Sequence, residues 1–124
     1  MAIAAVWVLR SREDGPDQLR HALHWSACTS VERHDDVRPR YAVRWGGIQH
    51  GSYLICQNLG PHVFYAEFHS GAARGRAVTA SPPPDPYCLY ASDRLVAYTD
   101  VSRSDRVRTC HDLKGELVVA RGAR

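Results

Sequence analysis

The chain has 124 residues, of which 44% are apolar and 23% are charged, and its formal net charge at pH 7 is +3. These values are typical of one globular domain and exclude a wholly disordered chain. Fifteen of the sixteen basic residues are arginine, a bias typical of GC-rich coding sequences. The basic residues do not form the clustered patch of a dedicated nucleic-acid binder, so the composition gives no strong nucleic-acid signal.

Residues 2–9 form an apolar run that is too short to span a bilayer, which requires about 20 residues. No positive residue precedes the run and no cleavage-like site follows it, so we expect a buried first element rather than a signal peptide. The alternative is the trailing end of a truncated membrane anchor. Without a secretion signal, the four cysteines are expected to be free buried thiols, in a cytoplasmic protein or in a virion-associated one if a phage encodes it.

Residues 16–31 are predicted to form one amphipathic helix. Pro16 fits the first helical turn, where a missing N–H group costs nothing. Leu19, Leu23 and Val31 then fall near helical spacing. For residues 2–9 a strand is preferred and a helix is the alternative; apart from that run, this is the only helix that the sequence predicts.

The rest of the chain predicts short strands. Alternation of Tyr41, Val43 and Trp45 with smaller or polar residues is the period of a half-buried strand, which would return over residues 53–59 as a β-hairpin. Phe64, Ala66 and Phe68 are predicted to share one face of a strand over residues 63–69. Further strands are expected at residues 77–80, 95–101, 106–111 and 116–120. About seven short strands separated by turn signals favour a sandwich or barrel.

Two motifs resemble immunoglobulin-like domains of bacteria. N-L-G-P at residues 58–61 resembles a strand and turn of such domains, and V-x-T-x-x-D-x-x-G at residues 107–115 resembles their last hairpin. Over residues 37–121 the chain is similar to small actinobacterial proteins that place a helical segment before a sandwich. The resemblance implies a mainly β, antiparallel immunoglobulin-like sandwich with one N-terminal α-helix. This would be a single domain over residues 1–124, with an N-terminal segment ending at residue 36, and no particular activity follows from it.

His21, His24 and Cys28 form the most metal-like cluster, because offsets of three and four residues place side chains on one helix face. A structural zinc site would need a fourth ligand, which no recognised spacing supplies. We therefore expect no metal and no cofactor, with the two histidines solvated and Cys28 packed against the sheet.

Histidines stand beside carboxylates or a hydroxyl at residues 34–36, 69–70 and 111–112. Acid–base catalysis needs such groups to converge in one pocket, and neither a nucleophile elbow nor a phosphate loop is present. The sequence therefore predicts no catalytic residue. The alternative is a small metal-dependent enzyme that uses several of His21, His24, Cys28, His69 and His111.

A sandwich of this size uses most of its apolar residues in its own core, so binding would fall to loops or an edge strand. Arg74 and Arg76 could contact an anion, and Trp45 and Tyr65 could stack on a ligand if a sheet face is open. The sequence thus predicts a non-enzymatic interaction module that binds another protein. Alternatives are a decoration or connector protein of a phage-like particle and a small-ligand carrier. A free edge strand would also allow a homo-oligomer.

Overall fold

A computed structural model describes residues 15–23, 30–56 and 62–119. Its elements are, in chain order, α1 (Gly15–Ala22), β1 (Val31–Asp35), a 3₁₀ helix (Arg40–Ala42), β2 (Ile48–Cys56), β3 (His62–Phe68), α2 (Gly71–Ala80), β4 (Tyr87–Tyr90), β5 (Arg94–Thr99), α3 (Arg103–Asp112) and β6 (Glu116–Val118). The strands form one six-stranded sheet in the order β1-β2-β3-β5-β4-β6. Every neighbouring pair is antiparallel.

The sheet separates two hydrophobic cores. Val63 and Tyr65 of β3 pack in one core with residues of α1 and α3. Phe64, Ala66 and Phe68 of the same strand pack in the other core with residues of α2 and the 3₁₀ helix. Helices thus lie on both sides of the sheet, which we call the α1/α3 side and the α2 side. The prediction that Phe64, Ala66 and Phe68 share one face is confirmed.

The predicted antiparallel, mainly β architecture is confirmed, but the finer fold differs. An immunoglobulin-like sandwich consists of two facing sheets, whereas the described strands form one sheet covered by helices. There are three α-helices in the described residues rather than one. Helix α1 ends at Ala22, and Val31, predicted to close that helix, begins β1 and pairs with Cys56. The segment up to residue 36 therefore contributes an edge strand to the sheet.

Two predicted strands are helices instead. Residues 77–80 belong to α2, where the Ser70 hydroxyl caps the helix by accepting a hydrogen bond from the Ala73 N–H. Residues 106–111 belong to α3, which Ser102 caps through the Asp105 N–H in the same way. Serine caps satisfy N–H groups that have no partner inside the helix. These local bonds favour helix where alternation alone indicated a strand.

The first predicted hairpin is also different. Residues 40–42 form the 3₁₀ helix, with a turn after it, instead of a strand. Strand β2 begins at Ile48 and pairs with β1 and β3. The end of its predicted span, residues 57–59, lies outside the described residues, as does the run at residues 2–9. Strands β3, β5 and β6 confirm the elements predicted at residues 63–69, 95–101 and 116–120.

The cysteines form disulfides where free thiols were expected. Cys88 of β4 is bonded to Cys110 of α3, and Cys56 is also disulfide-bonded. The first bond ties α3 to the sheet at a crowded point. A Cβ atom at Gly115 would lie 2.5 Å from the Cys88 sulfur and 2.7 Å from the Leu89 carbonyl oxygen. The expectation of free thiols is therefore wrong for these three cysteines.

Removal of the Cys88–Cys110 disulfide should destabilise the fold. The bonded residues are 22 apart in sequence, and chain-entropy loss on closing such a loop corresponds to about 3 kcal/mol. We expect the Cys88→Ala/Cys110→Ala variant to lose about that much free energy of unfolding, measured by urea denaturation under oxidising conditions. A loss below about 0.5 kcal/mol would show that the bond does not hold α3 in place.

Two tyrosine hydroxyls are buried in the core on the α1/α3 side. Tyr90 and Tyr98 are 7% and 1% exposed, and neither hydroxyl has a hydrogen-bond partner among the described residues. Burial raises the pKa of Tyr90 to about 12, against the opposing effect of the nearby Arg94 guanidinium. Burial also raises the pKa of Tyr98 well above its usual value of 10.0.

This burial predicts a loss of stability at alkaline pH. Tyrosines of the unfolded chain titrate near pH 10, so above that pH the folded state binds more protons than the unfolded state. The stabilisation is complete below about pH 10 and should fall toward pH 12, by at most about 1.4 kcal/mol per pH unit for each such tyrosine. Absorbance at 295 nm should show fewer tyrosinates at pH 11 in the folded protein than in the denatured chain. Equal titration curves, with the fold intact by circular dichroism, would contradict this expectation.

Candidate binding cleft

Trp45 anchors the segment between β1 and β2 on the α2 side of the sheet. Its ring is 4% exposed and lies 6.4 Å and 5.6 Å, centroid to centroid, from the rings of Phe64 and Phe68. Its indole N–H donates to the Ser81 carbonyl at 2.9 Å. The Ser81 hydroxyl in turn donates to the Tyr41 carbonyl at 2.9 Å. The segment is therefore fixed both to the sheet and to the end of α2.

Gly47 allows this segment to approach α2 closely. Its φ is 80°, a left-handed conformation that side chains with a Cβ atom disfavour. Its carbonyl accepts a hydrogen bond from the His69 N–H at 2.7 Å. A Cβ atom at this position would lie 2.8 Å from the Ala73 Cβ. A glycine facing an alanine therefore sets the distance between the two elements.

A cleft of about 580 Å³ lies between residues 44–47 and α2. It is lined by Arg44, Trp45, Gly46, Gly47, Ala73, Arg76, Ala77, Ala80 and Ser81. We call it the Arg44–Arg76 cleft, after the two exposed cations that stand on its two sides. Its position at Gly46 is open, because a Cβ atom built there meets nothing within 4 Å.

The two arginines of the cleft have no anionic partner among residues 15–23, 30–56 and 62–119. Neither guanidinium forms an ion pair or a hydrogen bond with another described residue. Between residues 37 and 85 the sequence holds five arginines and two carboxylates, Glu67 and Asp85, a net charge of +3. Glu67 accepts a hydrogen bond from Tyr65 at 2.7 Å, and Tyr65 faces the α1/α3 side. The lining of the cleft includes no carboxylate, so the charge of the cleft itself is that of Arg44 and Arg76.

The structure places two of the four predicted binding residues, Trp45 and Arg76, in this cleft. Arg74 serves the fold instead, because it donates to the carbonyl oxygens of Tyr90 and Arg94 at 3.1 Å and 3.0 Å. Tyr65 is fully buried, so its ring is not accessible to a partner. The pKa of Tyr65 is raised well above 10.0, mainly by burial.

Sequence reasoning missed Arg44 and the two glycines that shape the cleft. In the predicted hairpin, Trp45 belongs to the first strand, and Gly46 and Gly47, or the stretch up to Gly51, form the reversal after it. One feature of the sequence could have drawn attention to Arg44. Carboxylates are scarce between residues 37 and 84, so Arg44 has no acidic neighbour in sequence.

The predicted histidine cluster is only partly within the described residues. His21 is exposed on α1, whereas His24 and Cys28 lie outside the described residues. His69 follows β3 and His111 lies on α3, so these histidines belong to separate elements. Among the described residues, no group of three or more His, Cys, Asp or Glu side chains could hold a metal ion.

A second surface of about 600 Å³ lies on α3 alone. It is lined by Arg103, Ser104, Val107, Arg108 and His111. Arg108 is already paired with Asp105 at 2.6 Å. Because one helix supplies every residue of this surface, it lacks the two walls that define the Arg44–Arg76 cleft.

No protein-family model, no curated protein and no solved structure matches this chain. Of the two motifs that resemble immunoglobulin-like domains, residues 58–61 lie outside the described residues. Residues 107–115 span the end of α3 and the turn after it, where the resemblance predicts a hairpin. Within the described part of the chain, no helix combines the length and apolar character needed to cross a membrane.

A pair of glycine substitutions tests the geometry of the cleft. Gly47→Ala should lower the free energy of unfolding by about 1–2 kcal/mol, because alanine resists the left-handed conformation and would crowd Ala73. Gly46→Ala should change it by less than about 0.5 kcal/mol, since the added methyl group enters open space. Denaturant unfolding of both variants measures the difference, and equal losses would show that the close approach to α2 is wrong.

Proposed function

We propose that the protein is a non-enzymatic binding module that holds a segment of another protein in the Arg44–Arg76 cleft. The observation that carries this proposal is a two-walled cleft in which both cations have no partner among the described residues. Its floor is preformed, because Trp45 is fixed by ring packing and by its bond to Ser81. A preformed cleft avoids part of the ordering cost of binding.

The chemistry of the cleft supports binding better than catalysis. Its lining residues include neither a carboxylate nor a histidine nor a cysteine. Its one hydroxyl, that of Ser81, is already engaged with the Tyr41 carbonyl. Acid–base or nucleophilic catalysis needs a base or an activated nucleophile at the reacting centre. The side chains here can hold and orient a ligand.

The edge strands are weaker candidates for the same role. On β1, Glu32 and His34 are exposed and lie 3.2 Å apart, and charged residues on an edge discourage the addition of another strand. Strand β6 has only three residues, which limits the main-chain bonds it could offer. Binding through the cleft is therefore favoured over binding through an edge.

The disulfides indicate the kind of compartment in which this binding would take place. Disulfides persist in oxidising compartments and are rare in the reducing cytosol. The bond between Cys88 and Cys110, together with that of Cys56, favours an oxidising compartment over the expected cytoplasmic one. We propose that the partner is met there.

Selection from a displayed library of random 12-residue peptides tests the proposal. Gly46→Trp places a large ring in the cleft without displacing an atom near its Cβ, whereas Gly75→Trp, also in open space, stands on α2 outside the lining. We expect the unaltered protein and Gly75→Trp to enrich the same peptides. Gly46→Trp should bind those peptides at least about tenfold more weakly, since the ring occupies the space where they would lie.

Two outcomes would overturn the proposed function. One is that no peptide is enriched by the unaltered, disulfide-bonded protein. The other is that the enriched peptides bind Gly46→Trp as tightly as Gly75→Trp, which would place binding elsewhere on the surface. Circular dichroism of both variants establishes that each is folded.

A further inference from the structure

We infer that the segment held in the cleft is acidic, with Arg44 and Arg76 recognising carboxylates of the partner. This inference rests on the proposed function and names the chemistry of the partner. The two arginines come from different elements, the turn before β2 and helix α2, and both line the same cleft. A ligand lying in the cleft is thus within reach of a guanidinium from each side.

The pairing state of the arginines favours an anionic ligand. Arg44 and Arg76 belong to the described arginines that have no carboxylate within 4.0 Å, and these two line one cleft. An incoming carboxylate therefore does not have to displace an internal one. The planar guanidinium offers two parallel N–H donors that match the two oxygens of a carboxylate.

The surroundings of the cleft favour the same ligand. The stretch from residue 37 to residue 85 carries a net charge of +3, which equals that of the whole chain. A local excess of positive charge raises the association rate of acidic ligands and disfavours basic ones. The α2 wall consists of Ala73, Ala77 and Ala80 around Arg76, so Arg76 carries the only charge on that wall.

A peptide fits these observations better than a nucleic acid does. Binding of single strands combines a basic groove with exposed aromatic rings on which bases stack. The aromatic residue that lines this cleft, Trp45, is 4% exposed and packs against Phe64 and Phe68. Its ring face is not open to a base. The cleft therefore offers cations without a stacking platform.

Fluorescence anisotropy with three labelled probes tests the inference: hexaglutamate, hexaglutamine and a 12-nucleotide oligothymidine. We expect the oxidised full chain to bind hexaglutamate, and to bind the other two at least about tenfold more weakly. Arg44→Glu and Arg76→Glu should each weaken binding of hexaglutamate by about fivefold, and the double variant should abolish it. Arg20→Glu is the matched control, because it makes the same charge change at an exposed position on α1 and should retain binding.

The outcomes separate this inference from the proposed function. If the library yields peptides that Gly46→Trp loses but that are not acidic, the function stands and the acidic partner is wrong. Failure of hexaglutamate to bind, or equal weakening by Arg20→Glu, likewise overturns the inference. Tighter binding of oligothymidine that depends on Arg44 and Arg76 would assign the cleft to nucleic acid and would also overturn it.

Discussion

Strand β3 buries side chains on both of its faces. The sheet must therefore be covered by helices on each side. Four consecutive residues, Val63–Ala66, are buried, and so is Phe68. Its neighbour β5 repeats the pattern, with Leu95–Tyr98 buried in succession. A strand that is apolar on both faces must be covered on both, which is the pattern of sheets that carry helices on each side. Helices α1 and α3 cover one face, and α2 with the Trp45 segment covers the other.

The cleft is a consequence of how the α2 side is covered. Helix α2 presents Ala73 and Ala77 to the sheet, and such small residues fill little of the space above β3 and β5. Trp45 fills part of that space and brings residues 44–47 against the helix. Two narrow elements on one face leave a cleft between them, with a rigid aromatic floor and exposed arginines at its sides.

The sequence predicted the parts of the fold that depend on local burial patterns. The apolar runs of β3 and β5 are visible in the chain, and their continuity, rather than strict alternation, was the signal that helices would cover both faces. Helices α2 and α3 were not predicted because each has only ten residues and a weakly apolar face. The main sign of helix in the sequence is therefore the serine that caps the N-terminus of each one. The Cys88–Cys110 pair was not predictable, since it depends on α3 returning over β4.

The candidate site was predicted only by residue type. Trp45 and Arg76 are 31 positions apart in the chain, and nothing local indicates that they line one cleft. Their meeting depends on Gly47, whose left-handed backbone and missing side chain let the segment reach Ala73. Arg44 lines the cleft only because of that meeting, so a search of the sequence one residue at a time could not have found it.

Ion pairs of arginine are found on the α1/α3 side of the sheet. On the α1/α3 side, Arg33 lies 3.4 Å from Asp17 of α1, and Arg108 of α3 lies 2.6 Å from Asp105. Exposed ion pairs contribute little to folding stability, so the fold would lose little if Arg44 and Arg76 were absent. Folding stability therefore does not account for these two charges. The acidic partner that we infer accounts for them, and replacing the two arginines should then change what the protein binds while leaving the fold intact.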